Sequence, residues 1–481
     1  MTDTHRFTSS PEALYDIEMR LQEPLFTDVP LGSTLNDVLS IELEMGARTW
    51  SLRSVFVDVL RCGYHALKGC GSNISVSLEP GRYLLTWLNE RASLRDLVLP
   101  VIDVLGPSRC TVIGPRGSMR GQLPNETQFL TFSDRPLLQR HLWLRPYLRN
   151  VGPWLRRLVR ALDDHNIPKR VLPRLMDHLL IESQRIVSYR VLLDQLRPLA
   201  VLTEYDRNAQ AAPLILAART LRIPTLTMVH GAISAQSPFG WTPLLADYVL
   251  CWGPTQREVF EQRGVSREQI IITGRQSISR EIKADRTLAR RKAGLPLRGP
   301  LVLLATTSPI DPIWRHQLVE AFCEGMTLAP GVGAVVRLHP SEQLDSYHTE
   351  IADHPEVRFL ENGDWSLDEA MAACDIVVVH YSTFAVDALV KGRPVIVLDV
   401  LPERLYGQSL IDLAGCPAAH DSAELAATVT RLLRDASYLE RCRDKAEEYV
   451  MRYCARFGVD AARCVAASVE QVASSRRRIE V

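Results

Sequence analysis

The feature that most constrains the fold is an alternation of short apolar runs with helical segments on the order of ten residues long. AVLTEY is followed by the helical stretch AQAAPLILAARTL and then by TLTMVHG. Later in the chain LVLLATTS, GAVVRLHP, VRFLEN, DIVVVHYS and PVIVLDV are separated in the same way. This alternation predicts βαβ units and parallel sheets. The runs are almost continuously apolar, which is typical of strands that helices cover on both faces.

The alternation occurs twice, and a charged segment without strand pattern separates the two series. We therefore predict an α/β protein with two doubly wound Rossmann-like domains, a helical N-terminal leader and a helical C-terminal tail. The predicted divisions are a leader at 1–78, a first domain at 79–275, a linker at 276–300, and a second domain with its tail at 301–481. A chain of 481 residues agrees with this division, since domains commonly have about 100–200 residues.

The bulk composition excludes several classes of protein. Lys+Arg and Asp+Glu are both 56, whereas nucleic-acid binders usually have a basic excess, so we expect no nucleic-acid partner. None of the ten cysteines forms a CxxC pair, a pattern that fits reduced thiols in the cytoplasm. The first residues contain no apolar run typical of a secretory signal, and no segment approaches the ~18–20 apolar residues of a membrane span. We expect a cytoplasmic protein that is soluble or attached to the inner face of the cell membrane.

The predicted strands of the second domain end in polar or turn-forming residues. In open parallel sheets, ligands bind beyond the carboxyl ends of the strands. The candidate binding residues on this side of the second sheet are Thr306, Thr307, Arg337, His339, Pro340, Ser382 and Thr383. Their common placement predicts a ligand site at this edge.

Two of these positions have a specific chemical use. Ser382 or Thr383 is a natural N-cap for the helix FAVDALVKG, and the start of a helix can bind phosphate through free N–H groups and its dipole. Pro340 fixes a turn that presents His339 at a strand tip, where an imidazole can contact a phosphate or a sugar carboxylate. The alternatives are an ordinary helix cap and a histidine that caps a neighbouring loop.

The first domain has three candidates for a general base. His230 precedes Gly231, which would let the backbone approach a sugar hydroxyl, although a simple turn is the alternative. Glu204 and Asp206 end a predicted strand and could accept a proton, although a buried acid paired to an arginine is the alternative for each. The choice between His230, Glu204 and Asp206 stays open. There is no DxD flanked by apolar residues and no His/Cys ligand spacing, so we expect neither a metal nor a cofactor.

Four stretches, taken in order, resemble a known family: LAARTLRIPTLTMVHG, ADYVLCWGPTQREVFEQRGVSREQIIITG, VVRLHPSEQ and CDIVVVHYSTFAVDALVKGRPVIVL. They are similar to GT-B glycosyltransferases of bacterial surface-polysaccharide assembly, including capsule Kdo transferases, polysialyltransferases and CDP-glycerol glycerophosphotransferases. The resemblance covers about Ala200 to Val400. It implies a first domain on the acceptor side and a second domain that binds the nucleotide donor.

The resemblance also implies roles for single residues of the donor site. His339, Pro340, Ser382 and Thr383 would hold the phosphate and ribose of a cytidine nucleotide. Asp387 stands where the family often has a Glu that holds the ribose, and it is one methylene shorter.

For the base, the resemblance does not choose. In the teichoic acid enzymes the His of the His-Gly pair is the proposed base, which corresponds to His230. Polysialyltransferases use an acidic motif ending in Gly that is not clear here, so Glu204 and Asp206 remain alternatives.

The function that these residues predict is a metal-independent direct displacement. The donor would be a cytidine-nucleotide-activated sugar or glycerol phosphate, and the acceptor would be a glycan or a lipid-linked molecule. The alternatives are an enzyme similar to UDP-sugar 2-epimerases and a non-catalytic nucleotide-sugar-binding protein.

The stretch LLQRHLWLRPYLRNVGPWLRRLVRAL has the pattern of an amphipathic helix that can contact a membrane surface. One helical face is apolar: Leu148, Val151, Leu155, Leu158 and Leu162. Charge comes from Arg145, Arg149, Arg156, Arg157 and Arg160. We expect Pro146 and Pro153 to divide the stretch into two short helices. Such a helix can lie on an anionic membrane, and the alternative is that its apolar face packs into the first domain.

Overall fold

The computed structural model of this protein describes residues 78–89, 92–134, 141–167, 169, 172–231, 233, 243–307, 312–340, 342–361, 363–380, 382–401 and 407–477. The predicted leader at 1–78 lies outside these residues apart from its last position.

The first sheet is parallel throughout and has the order β3-β2-β1-β4-β5-β6-β7 within the described part of the chain. Its strands are β1 Tyr83–Thr86, β2 Cys110–Gly114, β3 Gln128–Thr131, β4 Val201–Thr203, β5 Thr225–Met228, β6 Tyr248–Cys251 and β7 Ile270–Ile272. The strand order reverses between β1 and β4, which makes this the switch point of a doubly wound fold.

The second sheet is also parallel and has the order β10-β9-β8-β11-β12-β13. Its strands are β8 Leu301–Ala305, β9 Gly333–Arg337, β10 Arg358–Leu360, β11 Ile376–Val379, β12 Val395–Leu398 and β13 Ala418–Ala419. Here the switch point lies between β8 and β11. The two sheets confirm the prediction of two doubly wound Rossmann-like domains.

Helices connect the strands and cover the sheets. Before residue 276 they are α1 Ala92–Leu105, α2 His141–Asp164, α3 Leu172–Leu196, α4 Ala211–Thr220 and α5 Pro254–Gln262. After it they are α6 Arg286–Lys292, α7 Pro312–Thr327, α8 His348–Asp353, α9 Leu367–Ala373, α10 Thr383–Val390, α11 Gly407–Asp412, α12 Ser422–Arg434, α13 Ala436–Tyr453 and α14 Gly458–Arg477.

The continuous apolar character of the strands follows from this double covering. Successive side chains of a strand point to opposite faces. Leu84 therefore packs with α2 and α3, while Leu85 packs with α1 and α14. In the second sheet Leu303 and Leu304 separate in the same way into the clusters on its two faces.

Two segments pack against a domain other than the predicted divisions indicate. Residues 276–300, predicted as a linker, contain α6, and α6 is tied to the second domain because Arg286 and Arg290 both pair with Asp375, at 2.7 and 3.2 Å. The last helix, α14, packs against the first sheet through side chains that include Val465 and Val469. The tail thus returns to the first domain.

The arginine-rich stretch forms one helix, α2, so the expected division at Pro146 and Pro153 is wrong. A proline removes one helical hydrogen bond and can bend a helix without ending it. The apolar face of α2 lies inside the domain, where Leu158 and Leu162 are buried and Leu155 is partly buried.

The opposite face of α2 is exposed at Arg149, Arg156, Arg157 and Arg160. Packing of the apolar face into the domain is therefore what the structure shows, and the arginines face solvent. Among the described residues, no helix combines the length and the hydropathy that a membrane span requires.

Candidate active site

The candidate residues lie at the carboxyl ends of the strands beside the two switch points. In the first domain these are the segments after β4 and β5. In the second domain they are the segments after β8, β9 and β11. A switch point opens a crevice because the connections on its two sides leave in opposite directions.

Glu204 follows β4 and is completely buried. Its carboxylate accepts hydrogen bonds from the Thr86 hydroxyl and, at 3.0 Å, from the N–H of Leu88. It therefore joins β4 to the end of β1 across the switch point. Burial raises the pKa of Glu204 to about 7, although the hydrogen bonds from Thr86 and the backbone act in the opposite direction.

Asp206 is also completely buried and holds another loop. Its carboxylate accepts a hydrogen bond from the N–H of Leu245 at 2.9 Å, which fastens the segment before β6. Burial raises the pKa of Asp206, and the charge of Arg207 opposes this. Both acids thus have the surroundings expected of structural carboxyl groups.

His230 is the exposed member of the three base candidates. Its Nδ1 lies 3.0 Å from the carbonyl oxygen of Glu204, and its ring meets the Tyr205 ring edge-on at 5.2 Å. A carbonyl oxygen only accepts hydrogen bonds, so Nδ1 carries a proton, and in a neutral imidazole the lone pair is then on Nε2. The imidazole is thereby held in the tautomer that a general base needs.

The two domains meet at Gly231. A Cβ placed on Gly231 would lie 3.6 Å from Oγ1 of Thr383, the first residue of α10. The turn that carries His230 therefore faces the N-terminus of a helix in the second domain. A larger side chain at position 231 would occupy the space between them.

The start of α10 has the predicted cap. The Ser382 side chain accepts a hydrogen bond from the N–H of Phe384 at 3.1 Å, which confirms Ser382 as the N-cap. Gly392, just after the helix, has φ 71°, which favours glycine. Ser382 and Thr383 are both half-buried, so a ligand can reach the free N–H groups of the first turn.

Arg337 lies close to the same helix. Its guanidinium is 5.1 Å from the centre of the Phe384 ring, and burial lowers its pKa while the charge of Asp387 opposes this. It brings a positive charge toward the N-terminal turn of α10.

Asp387 pairs across the domain boundary. Its carboxylate accepts a hydrogen bond from Arg275, which follows β7, and both side chains are buried. Arg275 also lies over the ring of Trp252 at 4.3 Å. In this structure Asp387, the residue predicted to hold the ribose, is therefore paired with Arg275. The sequence pattern does not indicate this arginine.

The turn HPSEQ is held by its own glutamate. The N–H of His339 donates to Oγ1 of Thr306 at 2.8 Å and to the carboxylate of Glu342 at 2.9 Å, and the Thr306 hydroxyl donates to the same carboxylate. Thr306 is buried, Thr307 and His339 are half-buried, and Pro340 is exposed. Thr306 thus positions the turn, while His339 is accessible.

Glu342 is a residue that sequence reasoning missed. Its side chain is fully buried and also receives hydrogen bonds from Tyr347 at 3.0 Å and Arg315 at 3.3 Å. An acid three residues after His339, in a turn after a strand, was the available signal. The described residues contain no group of three or more His, Cys, Asp or Glu side chains that could hold a metal ion.

The two parallel Rossmann-like domains, with polar residues meeting at the carboxyl ends of their strands, define a GT-B fold. Solved structures with this architecture cover most of the chain. Anabaena Alr3699/HepE in complex with UDP and glucose is 16% identical, with a TM-score of 0.50, over 81% of this chain and 99% of that one. Staphylococcus aureus MnaA with UDP is 13% identical, with a TM-score of 0.52, over 80% and 95%.

A third structure is the UDP-GlcNAc 2-epimerase of Neisseria meningitidis bound to UDP-GlcNAc. It is 13% identical, with a TM-score of 0.50, over 81% of this chain and 100% of that one. At these identities the three similarities establish the fold.

A curated relative matches part of the chain. Lipid-A-disaccharide synthase of Pseudomonas fluorescens (strain SBW25) is 30% identical over 155 residues, which are 31% of this chain. The match spans 39% of the length of that relative. No family model matches the chain.

Proposed function

We propose that this protein is a GT-B glycosyltransferase, or a glycerophosphotransferase, that uses a nucleotide-activated donor in bacterial surface-polysaccharide biosynthesis. The observation that carries this proposal is the approach of the His230–Gly231 turn to Thr383. His230, whose side chain is exposed, directly precedes Gly231, and Gly231 lies beside the N-terminus of α10 in the second domain. A base on one side of a cleft and a phosphate site on the other are the two parts that a direct displacement needs.

The reaction begins at His230, whose Nε2 takes the proton of the acceptor hydroxyl. The acceptor oxygen bonds to the anomeric carbon, or to phosphorus in the glycerophosphotransferase case, while the bond to the nucleotide oxygen breaks. The charge that develops on the leaving phosphate is stabilised by the N–H groups at the start of α10, by Arg337 and by His339. No step needs a metal ion.

The donor is the finer part of the proposal. The resemblance of HPSEQ and of the Ser382–Thr383 segment to cytidine-dependent enzymes supports a cytidine nucleotide. The presence of UDP in two solved structures of the same fold supports a uridine nucleotide. A pyrimidine nucleotide is common to both, and Ser382, Thr383 and His339 are proposed to hold its phosphate and ribose.

The acceptor is proposed to be a glycan or a lipid-linked molecule. The similarity to lipid-A-disaccharide synthase, limited to 155 residues, supports an acceptor of this kind. The apolar face of α2 packs into the first domain. A cytoplasmic enzyme of this kind would therefore contact the inner face of the membrane through the exposed arginines of α2.

An epimerase acting on a UDP-sugar is the second candidate. It is favoured by the fold shared with the Neisseria meningitidis UDP-GlcNAc 2-epimerase. It would need a carboxylate in the cleft, whereas Glu204 and Asp206 are buried and Asp387 is paired with Arg275. These placements support the transferase as the first candidate.

Two measurements test the proposal. The first is thermal shift with CMP, CDP, UDP and GDP, where stabilisation by UDP alone would exclude the cytidine donor and no stabilisation would exclude a nucleotide site. The second is mass spectrometry of products from a panel of activated sugars, with and without acceptors. An altered sugar formed without acceptor identifies the epimerase, and nucleotide binding without any product identifies a binding protein.

Single variants test the roles of the two histidines. His230→Ala should lower turnover and keep donor binding, because the imidazole acts on the acceptor. His339→Ala should weaken donor binding. His348→Ala, on the exposed start of α8, is the matched control. Full transfer activity in both of the first two variants would contradict the site assignment.

A further inference from the structure

The segment that carries His230 is held by a side chain from the C-terminal part of the protein. Tyr453 is the last residue of α13, and its hydroxyl accepts a hydrogen bond from the N–H of Ile233 at 3.0 Å. The same hydroxyl lies 3.5 Å from the carbonyl oxygen of Ile233, to which it can donate. Because α13 packs against both α10 and α5, Tyr453 links the second domain to the turn of the first.

Two side chains of the first domain hold the neighbouring backbone. Nε1 of Trp252 donates to the carbonyl of Val229 at 2.9 Å, and the amide of Gln256 donates to the carbonyl of Gly231 at 3.4 Å. Gln256 also accepts a hydrogen bond from the N–H of Trp252 at 2.8 Å. The ring of Tyr453 packs against Trp252 with centres 5.9 Å apart, so these three side chains form one packed group.

None of the three side chains can touch a substrate. Tyr453 is 3% exposed, Trp252 1% and Gln256 0%. Any effect they have on chemistry must pass through the backbone on either side of His230. Gly231 lies beside Thr383, because a Cβ built on this glycine would be in van der Waals contact with the Thr383 hydroxyl. A shift of this turn changes the distance between His230 and the start of α10.

We propose that Tyr453 is a positioning residue that holds His230 at the distance from α10 that proton transfer requires. The inference rests on the proposed function, in which His230 is the base. Burial raises the pKa of Tyr453 to about 12, so the hydroxyl stays neutral over the range of an assay and keeps both its donor and its acceptor capacity.

The kinetic test is Tyr453→Phe, which keeps the ring and removes the acceptor of the Ile233 N–H. We expect kcat to fall about tenfold, which corresponds to about 1.4 kcal/mol, while the KM for the donor and the calorimetric affinity for UDP or CMP stay unchanged. The matched control is Tyr438→Phe in the first turn of the same helix, where the hydroxyl contacts Cys442. An unchanged kcat, or a loss confined to donor binding, would overturn the inference.

Amide hydrogen exchange tests the contact without any assay of activity. In Tyr453→Phe the amide of Ile233 should exchange at least tenfold faster than in the wild type, while the amide of Leu226 in β5 keeps its rate. Equal rates for Ile233 in the two proteins would show that Tyr453 does not hold the turn, and the inference would fail. If instead the wild type transfers no sugar, the proposed function fails, and the exchange rate still decides whether Tyr453 fixes the turn.

Discussion

Glu204→Gln is the substitution that best tests the physical account of the first domain. In the folded protein the carboxyl group of Glu204 is buried, and its pKa is raised from an ordinary 4.5 to about 7. The neutral form is therefore favoured by folding. Glutamine has nearly the same shape as a protonated glutamate: its carbonyl oxygen can accept from Leu88, and its amide can donate to the Thr86 hydroxyl.

The pH dependence follows from the direction of this shift. Because the folded state holds the proton more tightly than the unfolded state, stability from this group is fully present below pH 4.5 and is lost as the pH rises through about 7. The full difference is on the order of 3 kcal/mol, and most of it falls between pH 5 and pH 8. The side chain of the Glu204→Gln variant does not ionise, so the variant does not lose this stability as the pH rises.

Calorimetric melting at several pH values is the assay. Between pH 5 and pH 8 the melting temperature of Glu204→Gln should rise relative to the wild type by roughly 2–5 °C. A difference between the two proteins that stays constant with pH would refute the account of a buried acid with a raised pKa. The same variant separates the base candidates, since it should keep most of its turnover if His230 is the base and lose it if Glu204 is.

Four further substitutions test packing, charge and helix capping. Gly274→Ala should destabilise the protein by at least about 2 kcal/mol in urea unfolding. The reason is that Gly274 has φ 93° and that a Cβ there would lie 2.5 Å from the carbonyl oxygen of Arg456. Gly264→Ala is the control and should cost less, because φ is 83° there and no atom lies within 4 Å of the added Cβ. Asp387→Asn should cost about 3 kcal/mol or more, since it leaves Arg275 buried without its counter-charge, and a loss below about 1 kcal/mol would contradict this. Ser382→Ala should cost about 1 kcal/mol through loss of the cap of α10, measured in the same unfolding experiment.

Several elements could be predicted from sequence because their signals are local. The apolar runs, the helices between them, the N-cap at Ser382 and the turn at Gly392 each depend on neighbours within a few residues. The placement of polar residues at the carboxyl ends of strands follows from the direction of the chain in a parallel sheet. The base candidates were also found in this way, although the three could not be ranked.

Other features depend on residues far apart in the chain. Asp387 and Arg275 are separated by 112 positions, and nothing near either one indicates the pair. The packing of α14 against the first sheet and the burial of the apolar face of α2 likewise depend on the apolar surfaces of that sheet, which form only when distant strands come together. An amphipathic pattern indicates that one face is buried and does not indicate against what.

The sequence by itself therefore determined the two parallel sheets and the edge at which polar side chains collect, since both follow from periodicity and chain direction. The tertiary structure alone decided which candidates are buried and which is exposed. Glu204 and Asp206 end the same strand as buried carboxyl groups, and His230 at the end of the next strand is exposed and precedes Gly231, which lies beside Thr383. The reason is that burial and charge partners are set by packing between distant segments, and that packing also fixes the proton on Nδ1 of His230.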